Sequence, residues 1–232
     1  MDFKNLLKLF AGGEVTQAGS PMGSACNVPE VSHMIAQGMG RHVTVGAFST
    51  GIVGGGAGTI LDLDQPELVI GVPAGYCMRP IRMSAQVQVG LFAADNDESE
   101  ILFAVDSLGL WSGDGTYTFE EPSNMRTDLV KGSACRVGSA FTADMTTTQP
   151  GITPADPILD IELARSVETS DLFSTGTGIL IKRLDLTYEP LNAPYLVGPC
   201  SLLAYFGGTI ATIGGFVQVA WVEGRYQDFF QK

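Results

Sequence analysis

Charge is scarce in this chain, and positive charge scarcer still. Only 16% of its 232 residues are charged, against about 25% in an average soluble domain. The 25 acids outnumber 13 bases, giving a formal net charge of −12. The first 40 residues hold only Lys4 and Lys8 as bases, beside Asp2, Glu14 and Glu30. Nucleic-acid binding rests on clustered Lys and Arg that displace counterions from phosphates. With a repulsive field and no basic arm, direct nucleic-acid binding is not expected.

Soft metal ligands are equally thin. The four cysteines, Cys26, Cys77, Cys135 and Cys200, form no C-x-x-C pair, and His33 and His42 are the only histidines. A structural zinc site needs clustered ligand pairs. A chain this long does not need disulfide staples, so the thiols are expected to be buried and free. Two histidines also leave few openings for a Ser–His or Cys–His pair, and there is no G-x-S-x-G elbow. No catalytic residue is assigned, and the chain is read as a non-enzyme without a cofactor. No run of about 20 apolar residues spans a bilayer. The opening MDFKNLLKLFAGG does not read as a signal peptide, because Lys8 interrupts its apolar stretch.

What is present is apolar and turn-rich: 45% hydrophobic residues, 29 Gly and 12 Pro. Disorder needs the opposite balance. A chain of this mass buries roughly 70% of its extended surface on folding. So little charge implies a surface covered by neutral residues or by partners.

Periodicity divides the chain at about residue 40. Phe3, Leu6, Leu7 and Phe10 fall at i, i+3, i+4 and i+7, which predicts a short amphipathic helix stopped by Gly12 and Gly13. Residues 13–28 are rich in Gly, Ser, Pro and Ala and read as an extended arm. Asn27–Glu30 (NVPE) has the form of a capping box, with a short helix VSHMIAQ to follow. Beyond residue 40 the period is two. RHVTVGAFST, PELVIGVP, RPIRMSAQVQVGLF, EILFAVDSLGLW, TYTFE, SACRVGSAFTAD, ILDIELARSV, GILIKRLDLTYE, CSLLAYFGG and GFVQVAWVEGRY read as about ten strands. In the third, Ile81, Met83, Ala85, Val87, Val89 and Leu91 share one face, with Arg82, Ser84, Gln86 and Gln88 on the other. Asp114-Gly115 is a hairpin-type turn, and TTTQPGITPADP is a loop. Many short strands with turn signals between them predict an all-β antiparallel sandwich or barrel over 41–232, preceded by an arm over 1–40 with one or two short helices.

Four stretches carry chemical signals. IVGGGAGTI (52–60) invites a phosphate-loop reading, but Ala57 occupies the Walker lysine position and Thr59 the third glycine of a dinucleotide fingerprint. No helical stripe follows, so a connector is expected. The acidic run DNDESE offers Asp95, Asp97 and Glu98 as a Ca²⁺ candidate but lacks the glycine and distant glutamate of an EF-hand; a solvated hairpin tip is preferred, and no metal site is assigned. Trp111 and Tyr117 lie next to the SGDG turn and could stack on a sugar, with a core position the preferred reading for Trp111; Trp221, in a strongly alternating strand, is read as packing. The stripe Phe3, Leu6, Leu7 and Phe10 is a contact surface for the chain's own β body, for a neighbouring subunit or for a membrane, with membrane ranked last.

The segment APYLVGPCSLLAYFGGTIATIGGFVQVAWVEGRY (193–226), the corner VPAGYCMRP and the number of strands over 41–226 resemble the jelly-roll capsid proteins of icosahedral viruses. The resemblance implies an antiparallel jelly-roll β-sandwich that self-assembles into an icosahedral shell, located in the virion. It implies copies of itself and other capsid proteins as partners, loops 107–116 and 144–157 at one end, and an arm reaching under or across neighbours. The acidic balance departs from capsid proteins whose basic arms package naked RNA. It fits better with a shell around an internal membrane, or with a separate genome-binding protein. Two alternatives stay open. One is a non-viral β-sandwich binding module, such as a lectin, adhesin or trimeric ligand head of the tumour-necrosis or C1q type. The other is an enzyme on a β scaffold.

Overall fold

Alternation of apolar and polar residues builds two antiparallel sheets, packed face to face. The computed structural model describes residues 27–46, 52–53, 61–63, 65–89, 99–107, 117–141, 159–168, 183–208 and 213–230. Helix α1 (Asn27–Ala36) leads into β1 (Gly40–Val45), β2 (Ile52–Val53), β3 (Leu68–Val72), β4 (Tyr76–Val89) and β5 (Ser99–Asp106). Then come β6 (Thr118–Glu120), β7 (Ser123–Asn124), β8 (Arg136–Ser139), β9 (Leu159–Glu168) and β10 (Arg183–Tyr188). The chain continues through β11 (Leu196–Val197), β12 (Cys200–Gly208) and β13 (Ile213–Arg225) to a single-turn helix α2 (Tyr226–Phe229). One sheet has the order β10-β4-β13-β1-β7, with β11 on the start of β4 and β2 on β13; the other runs β6-β8-β3-β12-β5-β9.

The main core lies between the sheets. Val43, Met83, Val87, Val217, Val219 and Trp221 come from the first sheet and meet Ile70, Phe103, Val105, Leu202 and Phe206 from the second. Each such side chain contributes about 1.5–3 kcal/mol by leaving water. The second sheet is also covered on its outer face. There Val69, Leu102, Ala104, Leu203 and Tyr205 pack with Phe141, Leu61, Leu63 and Tyr117. Burial on both faces explains why EILFAVD reads as a continuous apolar run rather than an alternating one.

Residues 117–141, between β5 and β9, close one flank of the sandwich. Strands β6 and β8 extend the second sheet past β3, and β7 extends the first past β1. On the other flank β9 and β10 are the last strands of their sheets among the described residues. The β5–β9 ladder carries two register shifts, a device that makes an edge strand a poor template for further pairing.

Three local readings are corrected. Strand β4 pairs with β13 through a bulge: Arg82 faces Ala220, but Trp221 faces Pro80, leaving Ile81 as the extra residue. Met83, Ala85 and Val87 are buried as expected, but Ile81 falls outside their face, and the core positions before the bulge are Met78 and Pro80. Simple alternation cannot see a parity change made by one inserted residue. Helix α1 starts at Asn27, so NVPE forms its first turn rather than preceding it. Strands β2, β7 and β11 and helix α2 were not read from the sequence, because two-residue strands and a one-turn helix are too short for a period to register.

The exit from α1 is a Schellman turn. Gly38 takes φ +82, its N–H donates to Ile35 O at 2.9 Å, and Met39 N–H donates to Met34 O at 3.0 Å. Glycine permits that left-handed turn without cost to a Cβ. The turn delivers the chain into β1 beside the end of β13.

Candidate interaction surfaces

The period of β13 determines which side chains meet at this end of the first sheet. Odd-numbered residues Val217, Val219 and Trp221 face the core. Glu223 shares their parity, so the strand carries a carboxylate to the sandwich interior, where it is 3% exposed. Its Oε2 accepts from Ser133 Oγ at 2.5 Å and Trp221 Nε1 at 2.8 Å. Its Oε1 accepts from the Ala134 N–H at 2.9 Å and lies 3.1 Å from Arg41 Nε. The Arg41 approach is an ion pair whose angle falls outside hydrogen-bond geometry. The same guanidinium donates through Nη1 to Gly38 O at 2.6 Å and Gly40 O at 3.0 Å. One buried carboxylate thus ties the α1 exit, the flank-closing segment and the last strand together.

Ser133, Cys135 and Glu223 place two nucleophile types beside a carboxylate. The chemistry is nonetheless that of a strut. Glu223 already accepts three hydrogen bonds and is paired with the Arg41 guanidinium. Burial, followed by the nearby Glu223 charge, pushes the Cys135 thiol well above its usual range. A reactive cysteine needs the opposite shift. Cys77 and Cys200 are also raised by burial, to about 11 and about 12. All three are buried and free, as expected, while Cys26 lies outside the described residues.

Even-numbered residues of β13 face outwards, and here the sheet is apolar at one end. Cys77 pairs with both Gly224 and Val197. A Cβ on Gly224 would stand 2.6 Å from Met39 Cε and 3.2 Å from Phe229 Cε2. The glycine lets α2 and the α1 exit close over the same strand. Buried Arg79 stacks over Tyr195, its Cζ 5.1 Å from the ring centroid. Tyr195 meets Phe229 and Phe230 edge-on, at centroid separations of 5.8 Å and 5.3 Å. Tyr226 lies 4.8 Å from Phe230. Much of this cluster is open to solvent: Tyr226 is 49%, Tyr195 37% and Phe230 37% exposed. A second apolar patch lies on the flank-closing segment beside α1, with Met125 and Leu129 partly exposed and Val130 87% exposed. Arg126 braces it, donating to Ala36 O at 2.7 Å, where a cation complements the helix C-terminus.

The residues singled out from sequence fare differently. Phe3, Leu6, Leu7 and Phe10 lie outside the described residues, as do Asp95, Asp97, Glu98 and Trp111. Of the glycine-rich stretch, Ile52–Val53 form β2 on Gly214–Gly215, and residues 54–60 lie outside the description. Tyr117 stacks on Phe141 at 5.3 Å, with the Arg136 guanidinium over its ring, so its faces already have partners. Trp221 is fully buried, as read from its strand. His33 is exposed and shares a 2.9 Å hydrogen bond with Gln37, while His42 sits in β1 opposite Ala220. Among the described residues no group of three or more His, Cys, Asp or Glu could hold a metal ion. None of the described helices is long and apolar enough to cross a membrane. Sequence reasoning missed Glu223, although its parity with Trp221 was visible, and missed the aromatic cluster, whose signal was the density of rings in GRYQDFF.

Comparison with known proteins finds no matching family model, curated protein or solved structure.

Proposed function

We propose that this chain is a structural virion protein: a jelly-roll capsid subunit that self-assembles into an icosahedral shell through its sandwich flanks and N-terminal arm. The observation that carries the reading is strand order. The longer strands, taken along the chain as β1, β3, β4, β5, β9, β10, β12 and β13, fall into the orders first-eighth-third-sixth and second-seventh-fourth-fifth. Strands far apart in sequence therefore lie side by side, and successive strands of this set cross between sheets at every step except β5 to β9, which are neighbours in one sheet. This interleaving is what wrapping two Greek keys into a double sheet requires, and such eight-stranded jelly rolls serve in viral capsid domains. The low charged fraction and the open apolar patch at Val130 suit flanks covered by neighbouring copies.

Lectin domains and cupins use the same arrangement, so assembly size is the deciding property. Light scattering after size exclusion, with negative-stain images, should give closed megadalton shells, or pentamers and hexamers that close when salt or pH changes. A stable monomer or isolated trimer under all these conditions would overturn self-assembly and favour the binding-module reading, to be pursued by a glycan screen.

A further inference from the structure

We propose that the aromatic patch built by Tyr195, Tyr226, Phe229 and Phe230 is the docking site for the N-terminal stripe Phe3, Leu6, Leu7 and Phe10 of the same chain. The inference stands apart from the shell reading and does not depend on it.

The patch is open but shaped. Tyr195 presents its ring to two phenylalanines edge-on, and Arg79 holds it from below. That leaves a rigid aromatic surface at the end of the first sheet, with Tyr226 and Phe230 on its solvent side. Preorganised rings of this kind give large contact area at small entropic cost.

The stripe is the complementary piece. Four apolar residues fall on one side of a nine-residue segment, spaced to lie along a single helix face. A helix this short is marginal alone in water and gains stability only by burying that face. Lys4 and Lys8 flank the stripe and give it a net positive charge in a chain of net charge −12. Exposed Asp228 lies on α2, in the middle of the patch segment.

Geometry makes the intrachain route short. Met39, just past the α1 exit, shares Gly224 with Phe229. Helix α1 has 10 residues, a length of about 15 Å. With up to about 10 Å more for residues 37–39 and the reach of the Met39 side chain, Asn27 starts within about 30 Å of the patch. Between Phe10 and Asn27 run 16 residues rich in Gly, Ser and Ala. A flexible linker of that length has a root-mean-square span of about 22 Å. A linker whose natural span is comparable with the distance holds its ligand at an effective concentration near the millimolar range. Even a modest affinity would then keep the stripe seated.

Hydrogen exchange on the whole 232-residue chain tests this directly. Amides of residues 3–10 should be protected about tenfold or more over the unstructured rate, because this segment is helical only when docked. Tyr226→Ser with Phe230→Ser should remove that protection while leaving β12 and β13 protected. In the reverse direction, Leu6→Ser with Phe10→Ser should accelerate exchange across residues 225–230. Both effects should be unchanged over a hundredfold range of protein concentration. Residues 3–10 exchanging at the unstructured rate in the parent protein would overturn the proposal. So would protection that ignores the patch substitutions, or protection that grows with concentration, the last assigning the stripe to a second copy.

Discussion

The indole Nε1 of Trp221 donates a 2.8 Å hydrogen bond to Oε2 of Glu223, two residues further along the same strand and on the same face. The largest fully buried side chain of the core thereby hands over to a buried carboxylate at the sandwich end. Glu223 is held by Ser133, Ala134 and Arg41 as well. Removing the carboxylate orphans several buried donors at once. Glu223→Ala should cost about 3–5 kcal/mol, since breaking a buried, hydrogen-bonded ion pair leaves an uncompensated charge. Trp221→Phe removes one donor of several and a little volume, and should cost about 1–2 kcal/mol. Urea midpoints at unchanged m-value measure both. A Glu223→Ala loss no larger than that of Trp221→Phe would show that the carboxylate is not the tie.

The bulge at Ile81 makes a sharper prediction. Ile81 is the unpaired residue between Arg82, opposite Ala220, and Pro80, opposite Trp221. Substituting it removes little packing, because it is not in the buried core. Ile81→Thr should cost less than about 1 kcal/mol. Deleting it would make Arg82 and Pro80 successive residues opposite Ala220 and Trp221, so residues 76–80 would keep their facing in a regular ladder, whereas inserting one more residue after Ile81 would aim Arg79 at the core and Met78 at solvent. The deletion variant and Ile81→Thr should both keep a cooperative urea transition, while the insertion variant should fail to give one.

The sequence made the sandwich legible because most of its long strands alternate over enough residues for the period to register, and one of them, β5, announces double burial by not alternating. It could not show where the parity breaks. Ile81 is an ordinary β-branched residue, and only its ladder partners reveal that it is extra. The contact surfaces were harder still. Glu223 looks like an exposed acid at a strand end until Ser133 and Arg41 are brought to it from far along the chain. Tyr195 and Phe230 are 35 positions apart in sequence and become one cluster only when β11 pairs with β4.

Close backbone approach at Gly198 gives a third test. A Cβ there would lie 2.1 Å from Pro73 O and 2.5 Å from Val72 O. Both obstacles are main chain and cannot rotate away. Gly198 also donates its N–H to Tyr76 O at 3.0 Å, fixing β11 against the start of β4. Gly198→Ala should destabilise by about 2–3 kcal/mol through forced backbone displacement. Because β11 carries Tyr195's neighbours, the near-ultraviolet circular dichroism of the aromatic cluster should change too. Retained stability with an unaltered aromatic signal would mean that the turn relaxes freely.

The buried thiols predict how stability responds to alkali. An ordinary thiol ionises near pH 9; burial raises Cys77 to about 11 and Cys200 to about 12, and Cys135 is raised further. Below pH 9 the thiols are neutral in both folded and unfolded chains and contribute no slope. Between 9 and 11 the unfolded chain releases these protons while the folded chain keeps them. The folded state then binds more protons, so stability falls as pH rises. Each such thiol steepens the fall by about 1.4 kcal/mol per pH unit while the window lasts. Tyr188 is also raised by burial, so some slope will remain above pH 10 without any cysteine. Melting curves at intervals from pH 8 to 11 should therefore be flat at first and then descend. Cys77→Ala should flatten the stretch between 9 and 11 even if it lowers stability throughout. An equal slope in the parent and the variant would mean that water reaches Cys77 and the thiol ionises in the folded protein.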